Sequence, residues 1–473
     1  MLKKQTPFWL IIFGIIAGLV LPALIRDGMF VDGLFYSVVS KNLANGLGTF
    51  WFPYYSESGF GGLRDFHEHP PFVFALQSIF FHLFGSSLYT ERIYIFIILC
   101  LNIFIMMLIW KTISTNDKEK NTGWLPLLFW ILVPLSWWSF QNNMMENTMG
   151  VFVLLSVYFY LRCMQGGRKG LIMLLLSGAS IFLASFSKGI PGLFTLSMPI
   201  LFWISTQTIN ISRMLYHSGV LVMSVAGFYG ILLLSPAARD SLSIYFFERV
   251  VVRIGHAPTV DSHFLILKRL ATELLPPVVL LFLVIGLYKY YIGFRIGLDR
   301  LRLSSFFILL GFAGSVPLMF TLVQRGFYFV PALPLFAIGF AHLVSAYMTT
   351  TFAYLAISRF KKYFFALGIL LCTASLTWTI LSIGKSKRDE VMLNDINLMG
   401  PKMEPRQVFG IPHDLRNAYS FESYFMRYYE ESMIEGKGFP YYITPKNSLK
   451  PIPDDYKKVE LPTIEYDLYV RSL

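Results

Sequence analysis

Eleven stretches of this chain are apolar for about 17 residues or more, and nothing else in the sequence restricts the fold so strongly. A run of roughly 17 to 25 apolar residues crosses the hydrocarbon core of a bilayer as a helix. Such runs lie near 8–25, 89–110, 124–140, 146–162, 170–186, 190–205, 213–235, 273–291, 303–323, 327–346 and 363–384. Of the 473 residues, 55% are hydrophobic and 14% charged, whereas soluble domains keep roughly a quarter charged. The fold class that follows is an all-α polytopic membrane protein. Pro71–Phe84 is apolar but too short to span and predicts an interfacial or re-entrant helix.

Positive charge orients the spans. The net charge of +12 resides in short loops between apolar runs, where it reads as membrane orientation and contact with anionic lipids, and no nucleic-acid motif accompanies it. With Lys3 and Lys4 inside, the loops holding Lys111, Lys118 and Lys120, then Arg162, Arg168 and Lys169, then Arg295, Arg300 and Arg302, then Arg359, Lys361 and Lys362 all fall on one face. That face is expected to be the cytoplasm. The N-terminal run has no A-x-A cleavage site and reads as a retained signal anchor. Segments 26–71, 236–272 and everything from Lys385 onward are then expected outside, and for a bacterium the membrane is the inner one. Cys100, Cys163 and Cys372 show no metal or disulfide spacing. The absence of a Walker or dinucleotide motif argues against an ATP-driven transporter.

The organisation expected is a membrane domain over 1–384 and a small extracytoplasmic domain over 385–473. The latter is polar, aromatic and proline-bearing, as in GFPYYITPKNSLKPIPDDY. It reads as α/β or irregular, with a core that is marginal below about 100 residues unless it packs on another part of the chain.

The first outer segment, Arg26 to Pro71, gathers Asp27, Asp32, Glu57, Asp65, Glu68, His67 and His69. Ionisable groups crowded beside a bilayer mark a functional site; an ordinary solvated loop is the alternative. After Asp32, the residues Leu34, Phe35, Val38, Val39 and Leu43 recur at helical spacing, predicting a surface helix that ends at Asn45 and Gly46. Asp32 would sit at its start, as a reactive carboxylate or as an N-cap.

An acid followed by G-x-x-Y after the first span, a loop ending Glu68-His69-Pro70-Pro71, a short apolar stretch closing at Phe84 and Gly85, and Arg92 entering the next span resemble the polytopic GT-C glycosyltransferases. The nearer resemblance is to protein O-mannosyltransferases and bacterial aminoarabinose (lipid A) transferases. Glu146 within Met145-Glu146-Asn147, the turn Ser187-Lys188-Gly189, the stretch YFFERVVVR at 245–253, and Arg325 followed by Tyr328 and Pro331 continue it. The resemblance implies a polyprenyl-phosphate sugar as donor, an extracytoplasmic lipid, glycan or protein as acceptor, and inversion at the anomeric carbon. Asp32 is then the catalytic base. Lys188, Arg253, Tyr328 and His69 hold the lipid phosphate, Glu68 and Glu146 orient substrate or a cation, and Arg92 joins the substrate-binding set.

A hydroxyl acceptor is a poor nucleophile near neutral pH, so a placed carboxylate that takes its proton is useful. A lipid phosphate leaves as a stable anion and needs cationic donors more than an acid. Snorkelling at a span end is the alternative for Lys188 and Arg253; an ordinary paired acid is the alternative for Glu146. The chain departs from the aminoarabinose transferases where those carry a His thought to pair with Glu68 on a metal. Here Arg249 stands beside Glu248, and an arginine cannot ligate a cation. His256 and His263 are near in sequence, so a divalent cation stays open. The competing classes are a polyprenyl-linked polysaccharide ligase and a lipid-linked sugar flippase or transporter. A secondary transporter would show paired repeats and midplane charges, which the sequence lacks.

Overall fold

The computed structural model describes residues 2–61, 63–252, 258–293, 296–355, 360–448, 452 and 454–472. The chain divides into two compact units. One comprises Met1–Ala23 with Ile95–Leu381, the other Leu24–Tyr94 with Ser382–Leu473.

In the first unit and its flanks, nine helices among the described residues are long and apolar enough to cross a membrane. They are Gln5–Ile25, Thr90–Ile113, Met145–Met164, Gly170–Lys188, Ile211–Leu232, Leu265–Tyr291, Leu298–Phe320, Gly326–Phe352 and Lys361–Ile380. This is a multi-span membrane protein. Small residues let the helices approach, as lipid-embedded helices require. Gly14 and Gly18 face Leu371 and Ser375 of the last span, and Ser375 Oγ donates to Gly14 O at 2.7 Å.

Two of the eleven expected spans are not among these nine. Residues 124–140 form Trp124–Ile131 and Pro134–Gln141. Pro134 forces the break, because the residue before a proline is pushed out of the helical region; Val133 is extended, at φ −89° and ψ 110°. Residues 190–205 form a 3₁₀ turn, Ile190–Ser197, and then the helix Met198–Thr206, each with a proline in its first turn.

The second unit joins the segment after the first long helix to the C-terminal tail. Its strands are β1 Val408–Ile411, β2 Ser432–Glu435, β3 Tyr441–Pro445, β4 Tyr456–Lys458 and β5 Tyr466–Arg471. They form one sheet in the order β2-β1-β3-β5-β4. β1 pairs parallel with β2 and β3, while β5 runs antiparallel to β3 and β4. The helix Tyr419–Tyr429 links β1 to β2, as a parallel pair requires.

The core of this sheet is not built from the tail alone. Met29 and Leu34 are fully buried with Phe409, Ile411, Phe421, Phe425, Ile443 and Leu468. The tail thus acquires the additional apolar surface that a chain of its length lacks.

Candidate active site

In the second unit the site is built on the helix Val31–Ala44. Phe30, extended at φ −62° and ψ 143°, is the N-cap and makes no side-chain cap bond. Asp32 is therefore not a cap. It lies in the first helical turn, where the helix dipole favours a carboxylate, and it is half-buried. Tyr36 follows four residues later on the same face. Its Oη lies 3.3 Å from His69 Nε2, which ties the end of the loop to the helix that carries Asp32. Glu68 and His67 are buried beside it.

The loop itself is not an ordinary solvated one. Tyr55 and Phe66 are buried, and Phe35 packs edge-on against Tyr55 and Phe60 at 5.2 and 4.7 Å. This aromatic cluster pins residues 50–69 onto the helix.

The helix Tyr419–Tyr429 clamps the other side. Lys41 Nζ donates to Arg427 O at 2.8 Å and pairs with Glu430 at 3.4 Å. Burial and the nearby Arg427 charge pull the Lys41 ammonium down to about 8. Ser56 and Ser58 donate to Glu422 Oε1 at 2.7 and 2.6 Å. Burial nevertheless holds that carboxyl above its usual range.

In the membrane unit, Lys188 ends the helix Gly170–Lys188, and Gly189 turns the chain at φ +85°. That left-handed conformation suits glycine, which has no Cβ; here the Tyr245 hydroxyl also packs where a Cβ would sit. Lys188 does not snorkel. Its side chain is buried and ion-paired with Glu146, itself fully buried in the first turn of Met145–Met164. The ammonium lies 5.4 Å from the Phe327 ring centroid and 5.6 Å from that of Tyr328. Both rings come from the 3₁₀ turn Gly326–Ala332.

Lys188, Glu146 and Tyr328 are thus gathered by three separate elements. An ammonium held between aromatic faces in a dry setting suits anionic oxygens, because attraction strengthens as the local dielectric falls.

Arg253 and His256 lie outside the described residues. Glu248 and Arg249 fall on a π-helical turn, Ile244–Val251, and His263 Nδ1 engages Met319 O at 2.7 Å. Among the described residues, no group of three or more His, Cys, Asp or Glu side chains comes together to hold a metal. Arg92 is buried, and its charge acts with those of Arg388 and Arg26 on the Lys387 ammonium, so that these three cations stand beside it. Sequence reasoning missed Arg26, Lys387, Arg388, Tyr245 and Phe327. The only cue was the glycine after Lys188, which marks the turn and not what packs upon it.

Residues 68–229 match the family model of dolichyl-phosphate-mannose-protein mannosyltransferase. By structure the chain is similar to ArnT from Cupriavidus metallidurans bound to undecaprenyl phosphate, at 13% identity and a TM-score of 0.65, over 98% of this chain and 97% of that one. The apo state of the same ArnT gives 12% identity and 0.64, over 96% and 95%. Archaeal oligosaccharyltransferase AglB from Archaeoglobus fulgidus gives 13% and 0.49, over 93% of this chain and 70% of that one. No curated protein matches the chain.

Proposed function

Proceeding from a chain that has the GT-C fold of ArnT, we propose that it is a membrane glycosyltransferase. It moves a sugar from a polyprenyl-phosphate donor to an extracytoplasmic acceptor, with inversion. Its setting is a bacterial inner membrane, with the N-terminus in the cytoplasm and the acting residues on the outer face. The single observation that carries this reading is the convergence of Lys188, Glu146 and Tyr328 at a buried break between apolar helices. A purely structural membrane protein would not need an ammonium fixed against a tyrosine at such a break.

In this reading Lys188 and Tyr328, with Arg253 and His69, hold the phosphate as it becomes the leaving group. Glu146 fixes the Lys188 ammonium so that it costs no reorganisation during reaction. Asp32 takes the acceptor proton; Tyr36 holds His69, and Glu68 orients substrate or a cation. The acceptor, whether lipid A, another glycan or a protein hydroxyl, attacks the anomeric carbon on the face opposite the phosphate, which leaves with the electron pair of its bond to the sugar.

The test is native mass spectrometry of the protein purified gently from its own membranes. A co-purifying polyprenyl-phosphate sugar, lost in Lys188→Ala with Arg253→Ala, is the expected result, and its mass identifies the sugar. Bulk phospholipid alone, unchanged in the variant, would move the assignment to a ligase or flippase. Asp32→Asn is expected to insert and fold normally while losing about 10²- to 10⁴-fold in transfer, the usual contribution of a positioned base.

A further inference from the structure

Two backbone segments of the second unit run side by side just beyond the ends of spans. Asp27 N donates to Lys385 O at 3.0 Å, and Lys387 N donates to Asp27 O at 2.8 Å. Gly28, at φ +80°, lies against the backbone of Arg388, where a Cβ would collide. The pairing sets Arg26 beside Lys387 and Arg388. Arg26 Nη2 donates to Ser382 Oγ at 3.1 Å, while its Nε has no acceptor among the described residues. Arg388 pairs with Asp389 at 3.2 Å and lies over the Phe30 ring.

Arg92 completes the group. It is 3% exposed, and all three of its guanidinium nitrogens lack an acceptor among the described residues. The acids close in sequence are engaged elsewhere. Glu91 pairs with Arg427 at 2.7 Å. Asp27 accepts from Tyr428 Oη at 2.5 Å and from Gly28 N at 2.6 Å, and Asp389 accepts from Tyr424 Oη at 2.9 Å. Arginine cannot discharge itself by losing a proton, so a buried one without an acceptor is costly. Lys387 responds instead: burial, then the charges of Arg92, Arg388 and Arg26, bring it down to about 7.

We propose that Arg26, Arg92, Lys387 and Arg388 form a binding site for the phosphoryl group of a lipid. A phosphoryl oxygen set matches the fork of a guanidinium and offers acceptors to several cations at once. The ligand is a lipid because the chain places these residues at three span ends. Arg26 follows Gln5–Ile25, Arg92 opens Thr90–Ile113 and Lys387 follows Lys361–Ile380, which is the depth at which headgroups lie. The inference rests on the functional reading above only for the identity of one source, a polyprenyl phosphate. The other source is a glycerophospholipid.

The experiment titrates the delipidated full chain with undecaprenyl phosphate, phosphatidylglycerol or uncharged dioleoylglycerol and reads bound lipid by native mass spectrometry. Lys387→Gln with Arg388→Gln, both on partly exposed residues, is compared with Arg92→Gln. The expected result is a loss of about tenfold or more in affinity for at least one phosphate lipid, the scale of one charge-assisted hydrogen bond, with dioleoylglycerol unaffected. Loss confined to undecaprenyl phosphate assigns the site to the donor; loss confined to phosphatidylglycerol assigns it to a phospholipid.

Affinities within twofold of the unaltered protein for both phosphate lipids, in both variants, overturn the proposal. Lys188→Ala separates this site from the functional reading. If it abolishes undecaprenyl-phosphate binding while the cluster variants are silent, the cluster fails and the glycosyltransferase reading stands. If no form binds undecaprenyl phosphate, that reading fails, and phosphatidylglycerol still decides the cluster.

Discussion

Arg427 and Glu91 form an ion pair, 2.7 Å between Nη2 and Oε2, in which neither side chain reaches solvent. Arg427 Nη1 and Nη2 also donate to Ser86 O and Ser87 O at 3.0 and 2.7 Å. The guanidinium therefore serves as a plug that fastens the helix Tyr419–Tyr429 to the start of the helix Thr90–Ile113. Removing one partner of a buried pair strands the other, at a cost of about 3 to 5 kcal/mol. Arg427→Ala is expected to lower thermal stability by that order. Arg427→Lys should recover little, because an ammonium cannot satisfy the carboxylate and two carbonyls in a fixed fork. A thermal midpoint in Arg427→Ala within a degree or two of the unaltered protein would show that the pair is dispensable.

The Lys188–Glu146 pair separates structural from functional roles. Lys188→Ala leaves a carboxylate buried and unpaired and should destabilise by about 3 kcal/mol or more. Lys188→Ala with Glu146→Gln removes both charges, so stability should return substantially. Transfer activity should not return, because the double variant lacks the cation assigned to the phosphate. Recovery of both in the double variant would reduce the pair to a structural one.

The turn that presents Lys188 has its own requirement. Gly189→Ala must hold φ near +85° and also displace the Tyr245 hydroxyl. A non-glycine residue in that region costs of order 1 to 3 kcal/mol. The expected outcome is a modest fall in thermal stability together with weakened retention of polyprenyl phosphate. Unchanged lipid binding would mean that the turn does not set the position of the ammonium.

The membrane spans were legible because the lipid core demands long apolar runs, and nine of the eleven coincide with helices long and apolar enough to cross it. Of the other two, one breaks at Pro134 and the other, Ile190–Thr206, is kept short by a start set at Gly189 and Pro191, residues visible in the sequence. A hydropathy run is blind to them because proline and glycine interrupt the backbone without interrupting apolarity. The helix after Asp32 was readable from periodicity. Its cap was not: Phe30 supplies only backbone geometry, and Asp32 falls one turn position inside. The union of the segment after the first long helix with the tail was illegible for a different reason. Met29 and Leu34 meet Phe421 and Phe425 across more than 380 residues of chain, and no local pattern encodes such a contact. Buried cations such as Arg92 and Arg427 look, in sequence, like any interfacial arginine. Only their surroundings tell the satisfied one from the unsatisfied one.

Glu431 provides a pH test of the second unit. It is 1% exposed, and burial pushes its carboxyl up to about 9. In the folded protein it therefore keeps a proton that the unfolded chain releases above about pH 4.3. Between there and pH 9 the folded state binds more protons, so stability falls as pH rises through that window. Below it the contribution is absent, and above it the cost is complete. At pH 7 the cost is of order 4 kcal/mol, from about 1.4 kcal/mol for each pH unit crossed. Lys387 and Lys41, down to about 7 and 8, act in the opposite sense. For a lysine with a lowered folded pKa the unfolded state binds more protons above that pKa, so stability rises from there towards pH 10.4. Glu422, also raised by burial, acts in the same sense as Glu431, so the comparison that isolates Glu431 is between the unaltered protein and a variant at that residue alone. Glu431→Gln, which stays neutral and keeps the shape, should be more stable than the unaltered protein at pH 7 and about equal to it at pH 5. The measurement is the thermal midpoint of both forms in the same detergent at the two pH values. Parallel pH slopes would mean that Glu431 is ionised in the folded protein and that its burial is relieved by a partner.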